Sequence, residues 1–407
     1  MYVVIHLMSF TMLEHLHRLP PDPLLGLMAK FSVDENPNKI DLGVGIYKNE
    51  QSSTPVLASV KQAEAFLLAN ETSKAYVGPA GNVEFSSAMS GLIFGDALAR
   101  INSRLFTLQT PGGCGALRVL AETIIKASPD TTLWVGNPTW ANHVPLLGSA
   151  GLKICEYPYY DYSNHAVSFD AMLSALEQAK AGDTVLLHGC CHNPSGADLN
   201  SDQWRQLIQF CKERGLVPLI DIAYQGFGDS LLGDTFGIRL AVQELDEVFV
   251  AVSCSKNFGL YRERVGAALV IAKSPDVAAA CGSHMFAITR GIYSMPPSHG
   301  ASIVATILNS VELRQQWTQE LEEMRLRISG LRGQLAGQLN ASQSVRDFSF
   351  MQREKGMFSF LGIDPSQVDQ AAEQYGIYMA GSSRVNLAGL NSNNMDYFCE
   401  SLLKILR

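Results

Sequence analysis

The sequence predicts an α/β protein: a large domain with a mostly parallel sheet between helices, joined to a smaller α+β domain. Three observations carry that prediction. Short apolar runs alternate with helical patterns from Thr132 to Ile271, which is how a parallel sheet covered on both faces reads. Several of these runs end in polar or glycine-rich segments, at the carboxyl ends where open α/β sheets bind ligands. After one long amphipathic helix, Trp317 to Leu339, the pattern changes to mixed strand-like and helical pieces. The expected division is an N-terminal extension and arm over 1–22, a large domain over 55–315, and a small domain from 23–54 with 316–407.

Taken in order, residues 1–22 have no period and end in Leu19-Pro20-Pro21-Asp22-Pro23, an extended arm suited to packing on a neighbour. Residues 24–33 are weakly helical. Ile40 to Tyr47 carries Gly43 and Gly45, where bare backbone can approach a ligand or simply bend a strand. Val56 to Asn70 reads as a helix, and a further helical stretch runs to Leu98. Thr110-Pro111-Gly112-Gly113-Cys114 opens a helix to Lys126, and a glycine turn feeding a helix N-terminus is an anion site in waiting. Strands follow at Thr132–Val135, Leu152–Tyr157, Thr184–His188, Leu216–Ile222, Val248–Val252 and Ala267–Ile271. Helices fall at Phe169–Lys180 and at Gln203–Arg214, the latter with Asn200 or Ser201 as cap and Gly215 as stop. In the C-terminal part, Phe348–Leu361 is strand-like, Gln367–Gln374 helical, Ser383–Leu387 a strand and Met395–Leu406 a closing helix.

The bulk composition narrows the function. The chain has 407 residues and is 47% hydrophobic, enough for a large core. A formal charge of −8 argues against nucleic acid or an anionic membrane as the main partner. Eight cysteines, scattered mostly in apolar runs, suit free thiols in a reducing compartment better than a disulfide framework. No apolar run approaches the roughly 18 residues of a membrane span. MYVVIHLMSF lacks the basic region and cleavage site of a signal peptide. A cytoplasmic enzyme is the expectation.

The chemistry gathers around Val248–Gly266. A buried strand ends in Ser253, Cys254 and Ser255, then Lys256, with Arg264 eight residues on. A lysine at such a strand end is costly unless used, and burial turns it into a nucleophilic neutral amine. Serines and an arginine beside it are what a phosphate needs. Lysine plus phosphate site points to pyridoxal phosphate, with Lys256 as its covalent anchor. A surface lysine beyond a core strand is the plain alternative. The other strand ends meet the remaining demands of that cofactor. Asp221 can face the pyridine nitrogen, Tyr224 and Asn193 the 3′ oxygen, and Trp140 a ring face. Gly113, Cys114, Ser253, Ser255 and Arg264 can hold phosphate. A turn or helix cap for Asp221 and core packing for Trp140 are the ordinary readings. A metal is not expected: His188, Cys190, Cys191 and His192 lie within five residues, but adjacent cysteines fit one tetrahedral ion poorly. His143 and His188 are expected behind Asp221. Neither nucleotide-binding glycine motif is present.

The runs TPGGCGALR, NPTWANH, HGCCHNPSGAD, DIAYQGF, SKNFGLYRERVG, YSMPPSHGA and SSRVNLAG, in this order, closely resemble the aspartate and aromatic amino-acid aminotransferases of fold type I. The resemblance runs from about Met12 to the C-terminus. It implies that Lys256 is the Schiff-base lysine and the base that moves the substrate's α-proton. It implies Asp221 on the pyridinium, Tyr224 and Asn193 on the 3′ oxygen, Trp140 stacked on the ring, and Gly113, Ser253, Ser255 and Arg264 on the phosphate. The partner subunit's Tyr76 would reach that phosphate. Arg384 would clamp the substrate's α-carboxylate, helped by Asn193 and Trp140, with Gly45 also at the substrate. The partner subunit's Arg290 would pair with a distal carboxylate. A homodimer with shared active sites and small-domain closure follow from the same resemblance.

The chain departs from the family's pattern in places. Cys114 stands where a Thr or Ser is usual, a weaker donor to phosphate. Cys254 stands where aspartate-specific relatives often have Tyr. Ile292 and Met295 replace polar residues near Arg290, and Ala75 before Tyr76 is small, whereas Lys48 and Thr54 look like the aspartate branch. The expected activity is amino transfer between L-aspartate and 2-oxoglutarate by a ping-pong mechanism. The alternative is an aromatic-amino-acid aminotransferase using tyrosine or phenylalanine with 2-oxoglutarate. A non-catalytic binding protein on the same fold is the third reading, disfavoured by the intact lysine, aspartate and arginines.

Overall fold

The computed structural model describes residues 12–20, 23–342 and 346–407; the extension expected at 1–11 lies outside the described residues. Within the arm, Met12–His15 forms a 3₁₀ turn where an extended segment is expected. Seven strands build the central sheet: β1 (Leu105–Pro111), β2 (Thr132–Asn137), β3 (Lys153–Pro158), β4 (Thr184–His188), β5 (Val217–Ile222), β6 (Val248–Ser253) and β7 (Val265–Ile271). Their order is β1-β7-β6-β5-β4-β2-β3. Six run in one direction, and β7 is antiparallel to both β6 and β1. The mostly parallel sheet expected from the sequence is therefore present, with one reversed strand.

The apolar runs form these strands because both faces are covered. In β6, Val248, Val250 and Val252 enter one buried cluster, while Ala251 enters another. That is the period-two alternation of a strand between two helical layers. The register then places the strand ends side by side. His188 pairs with Asp221, Ile222 with Val252, Ser253 with Gly266, and Val265 with Pro111. Because β7 is reversed, its first residues lie at the same sheet edge as the carboxyl ends of the others, and Arg264 arrives beside Ser253.

Several expectations shift. β1 carries no continuous apolar run, since Thr107, Gln109 and Thr110 interrupt it. Gln109 is nevertheless buried, because its side chain accepts from Asn82 N–H at 2.7 Å and donates to the Pro297 carbonyl at 2.7 Å. The helix expected over Phe169–Lys180 ends at Leu176, where the Gln178 and Ala179 amides bond back three residues in tighter turns. Phe348–Leu361 is not strand-like throughout; Ser349–Gln352 is a 3₁₀ turn and only Phe358–Phe360 is a strand. Helices Pro275–Ile292 and Ser298–Asn309 had no counterpart in the sequence reading. The helix Ser201–Arg214 begins as expected, with a capping box between Asn200 and Gln203, and stops at left-handed Gly215.

The long helix runs from Val311 to Ala341. Its first half packs on the sheet layer: Trp317 is fully buried, stacks on Phe258 at 4.3 Å, and donates from Nε1 to the Asn257 carbonyl at 2.7 Å. That bond fixes the turn directly after Lys256. Its second half, with Leu331, Leu335 and Leu339, enters a separate cluster with Ile40, Leu42, Phe348, Val385 and Phe398.

Candidate active site

Lys256 follows the end of β6 and reaches a cavity of about 140 Å³. Each wall of that cavity comes from a different strand end. Asp221 closes β5, with Ala223 and Tyr224 beyond it. Asn193 lies on the loop after β4, and Trp140 on the loop after β2. Gly113 and Cys114 open the helix Gly112–Ala127 after β1, while Ser253, Ser255 and Arg264 frame the β6–β7 turn. Eleven residues expected at the cofactor site included Tyr76; the other ten line this one cavity. The sequence reading missed His188 and Cys190 as wall residues, for nothing in a CCH run says which side chain faces a ligand.

The electrostatics follow from burial and pairing. Asp221 is 7% exposed. Burial pushes its carboxyl pKa up, but His143, His188 and Lys256 outweigh that, and it lies below the usual carboxylate range. His143 donates from Nε2 to Asp221 Oδ2 at 3.1 Å, and its Nδ1 meets Thr139 Oγ1 at 2.8 Å. Thr139 in turn meets His188 Nε2 at 3.0 Å. Burial beside His143 drives His188 down to about 3, so that ring is neutral. Lys256 stands 4.9 Å over the Tyr224 ring. Burial lowers its pKa, opposed by Asp221 and Cys114 and assisted by Arg264. The result is an amine that yields its proton more readily than a surface lysine.

An anion cradle lies at the other end of the cavity. Arg264 has a left-handed backbone, φ 52°, uncommon for a residue with a side chain. Its guanidinium is held there by bonds to Ser255 Oγ at 3.3 Å and the Tyr261 carbonyl at 3.2 Å. A Cβ on Gly112 would stand 2.5 Å from Arg264 Nη2, so only glycine lets the guanidinium approach the helix start. Ser253 Oγ and Ser255 Oγ are 3.1 Å apart on the same side.

Arg384, on the strand Arg384–Asn386, does not itself line the cavity but stands behind its wall residue Asn193. It donates to Asn193 Oδ1 at 3.1 Å and to the Gly43 carbonyl at 2.7 Å, while its buried Nε has no partner among the described residues. Its guanidinium lies 4.4 Å over the Phe358 ring. Gly45 does not line the cavity; its bare face meets Phe358, whose ring would be 2.8 Å from a Cβ there. Tyr76 and Arg290 are not brought to Lys256 within one chain. They line a different cavity, of about 500 Å³, with Pro79, Tyr293, Ser294 and Met295. Tyr76 is 92% exposed there, and Arg290 donates to Ser294 Oγ.

The sequence matches the family "Aminotransferase class I and II" over residues 37–402. The chain belongs to that family. It is 48% identical over 396 residues to an aspartate aminotransferase of Escherichia coli K12, covering 97% of this chain and 100% of the relative. It is 44% identical over 394 residues to an aromatic-amino-acid aminotransferase of Paracoccus denitrificans, with the same coverage. Among solved structures, an aromatic-amino-acid aminotransferase from Burkholderia pseudomallei, covalently bound to pyridoxal phosphate, superposes with a TM-score of 0.95 at 40% identity. That match covers 98% of this chain and 100% of the other. The fold is therefore fold type I, and the protein is a pyridoxal-phosphate-dependent transaminase.

The cavity of this transaminase fits the cofactor. A partly buried amine, a buried carboxylate that stays ionised, and an arginine–serine cradle at a helix start are the donors and acceptors that an aldehyde, a pyridinium and a phosphate require. Metal ligation has a weaker basis. Among the described residues, Cys190, Cys191 and Asp234 are spaced to share an ion. The Asp234 carboxylate, however, is already bonded by the amides of Gly226, Gly228 and Asp229. No described helix is long and apolar enough to cross a membrane.

Proposed function

We propose that this transaminase takes L-aspartate as its preferred amino donor and 2-oxoglutarate as acceptor. The carrying observation is Arg384: a buried guanidinium with an unpartnered Nε, bonded to Asn193, which lines the cavity that Lys256 shares. A planar carboxylate satisfies such a fork with paired charge-assisted bonds. Arg290 supplies a second guanidinium for the distal carboxylate, delivered from the neighbouring subunit, and the 48% identity to an aspartate aminotransferase supports the same reading. A second reading is favoured by one feature. The cavity around Arg290 is lined by Pro79, Tyr293 and Met295, apolar surface that suits an aromatic side chain.

When bound, pyridoxal phosphate supplies the carbonyl carbon that takes the amino group and a ring that draws electrons from the substrate's α-carbon. The chain's own residues do the rest. Ser253, Ser255, Arg264 and the amides at Gly113 and Cys114 would hold the phosphate. The Asp221 carboxylate keeps a proton on the pyridine nitrogen, and His143 keeps that carboxylate ionised and aimed. Tyr224 and Asn193 would donate to the 3′ oxygen, and Trp140 would face the ring. The Lys256 amine would take the substrate's α-proton and hold it for return. Arg384 turns the substrate so that this proton faces Lys256.

The division into a large domain over 55–315 and a small one over 23–54 and 316–407 is supported by the separate buried cluster that Ile40 and Leu42 share with Leu331–Phe398. Closure of the small domain, which carries Arg384, would then exclude water. Exposed Tyr76, Leu68 and Val77 support a homodimer with shared sites, and the free cysteines support a cytoplasmic location. Substrate choice is tested by Arg290→Val: turnover of aspartate falls by about two orders of magnitude while phenylalanine is spared. Equal losses on both substrates contradict the assignment.

A further inference from the structure

Arg332 lies on the long helix, is 3% exposed, and spends its donors on a segment remote in sequence. Its guanidinium donates to the carbonyls of Met351, Lys355, Gly356 and Phe358, and to the Glu354 carboxylate at 3.3 Å. Glu354 is also buried, and it accepts in addition from Ser359 Oγ and from Tyr160 Oη. The same segment is pinned from its other side. The Lys355 amide donates to the Gly196 carbonyl at 2.7 Å, three residues past Asn193, and a Cβ on Gly196 would collide with the Phe358 carbonyl. A buried ion pair adds little net stability compared with an apolar replacement, so its structural consequence is where to look for its use. What this pair fixes is Phe358. The Phe358 ring supports the Arg384 guanidinium at 4.4 Å and meets the Tyr224 ring edge-on at 6.0 Å.

We infer that Arg332 and Glu354 are positioning residues for substrate binding: by holding the 351–359 turn they set Phe358, and through it the Arg384 guanidinium beside Asn193. Neither side chain lines the Lys256 cavity. The inference rests on the reading of Arg384 as the carboxylate clamp. A merely structural ion pair would lower the thermal midpoint and leave the surviving molecules binding normally. A positioning pair changes the affinity of correctly folded, cofactor-loaded molecules.

The test titrates succinate, a simple dicarboxylate, into the holoenzyme of Arg332→Lys, Glu354→Gln and Arg384→Lys, with cofactor content and thermal midpoint measured alongside. Arg332→Lys is expected to weaken succinate tenfold or more at unchanged cofactor content, and to raise the KM for aspartate by a larger factor than it lowers kcat. Glu354→Gln keeps the side-chain shape and one acceptor oxygen, its amide NH2 facing a hydroxyl that can accept, and is expected to fold and to shift succinate affinity in the same direction by severalfold. Succinate affinity within twofold of the parent in both variants, while Arg384→Lys loses it, overturns the inference alone. Intact succinate binding in Arg384→Lys overturns the clamp reading, and the inference with it. Should Arg332→Lys not fold, Glu354→Gln decides by the same criterion.

Discussion

His143 donates from Nε2 to Asp221 Oδ2 at 3.1 Å, in a setting where the histidine is fully buried and the aspartate nearly so. A carboxylate in such surroundings would ordinarily take up a proton. The His143 bond, with the nearby Lys256, outweighs burial and keeps it ionised instead. Removing the donor as His143→Ala should raise the Asp221 pKa and cost roughly ten- to a hundredfold in turnover, given about 1.5–3 kcal/mol for a hydrogen bond to a charged group. The acid limb of the pH–rate profile should move to higher pH; an unmoved limb contradicts the role.

The same group makes a statement about stability. Its folded pKa lies below that of an ordinary aspartate. A depressed carboxylate contributes stability that is present above the unfolded pKa and lost as pH falls through the folded one. Asp221→Asn should therefore flatten the pH dependence of the thermal midpoint below about pH 4 relative to the parent, in the cofactor-free protein.

Lys256 should titrate below an ordinary lysine, because burial disfavours its charged form while Asp221 opposes the shift. Acetylation of the cofactor-free protein, followed residue by residue with mass spectrometry, should reach half its maximal rate at Lys256 below pH 10.5. Asp221→Ala should lower that midpoint further, since it removes the charge that favours the ammonium. A midpoint that rises contradicts the pairing.

Cys114 places a thiol, a weak donor, at the phosphate end of the cavity. Cys114→Thr supplies a hydroxyl in its place. Loss of pyridoxal phosphate on dialysis should slow by roughly tenfold, as expected for one added bond to a charged group. An unchanged rate means that Arg264, the serines and the helix amides carry the grip alone.

Much of this was legible in the sequence, for a physical reason. Strands buried on both faces must be apolar runs, and the polar residue that ends such a run must be there for a ligand or a partner; Lys256, Asp221 and Asn193 were readable on that ground. β1 was not, because its buried Gln109 and Thr110 are satisfied by side-chain bonds that no local pattern announces. Phe358 was not either. In the run MFSF nothing marks which phenylalanine supports a guanidinium, and the choice depends on Arg332, which lies on a remote helix. Tyr76 and Arg290 are a different case, since the family resemblance expects them to act at a neighbouring subunit's site rather than beside Lys256 of their own chain.

That sharing has its own test. A dimer mixed from Lys256→Ala and Arg290→Val chains contains one site with both intact residues if Arg290 acts across the interface. Mixing two variants that are each deficient on aspartate should restore activity, up to about half of the parent per mixed dimer, with hybrid formation checked by native mass spectrometry. No recovery in verified hybrids contradicts a shared site.

The most direct measurement is a single turnover of the purified holoenzyme, followed by the absorbance of the lysine-bound cofactor, with L-aspartate and then with L-phenylalanine. The account predicts loss of that band and growth of the amine form with both, far faster with aspartate. A cofactor band that either amino acid leaves unchanged would contradict the assignment of Lys256, and comparable rates would replace aspartate by the aromatic donors.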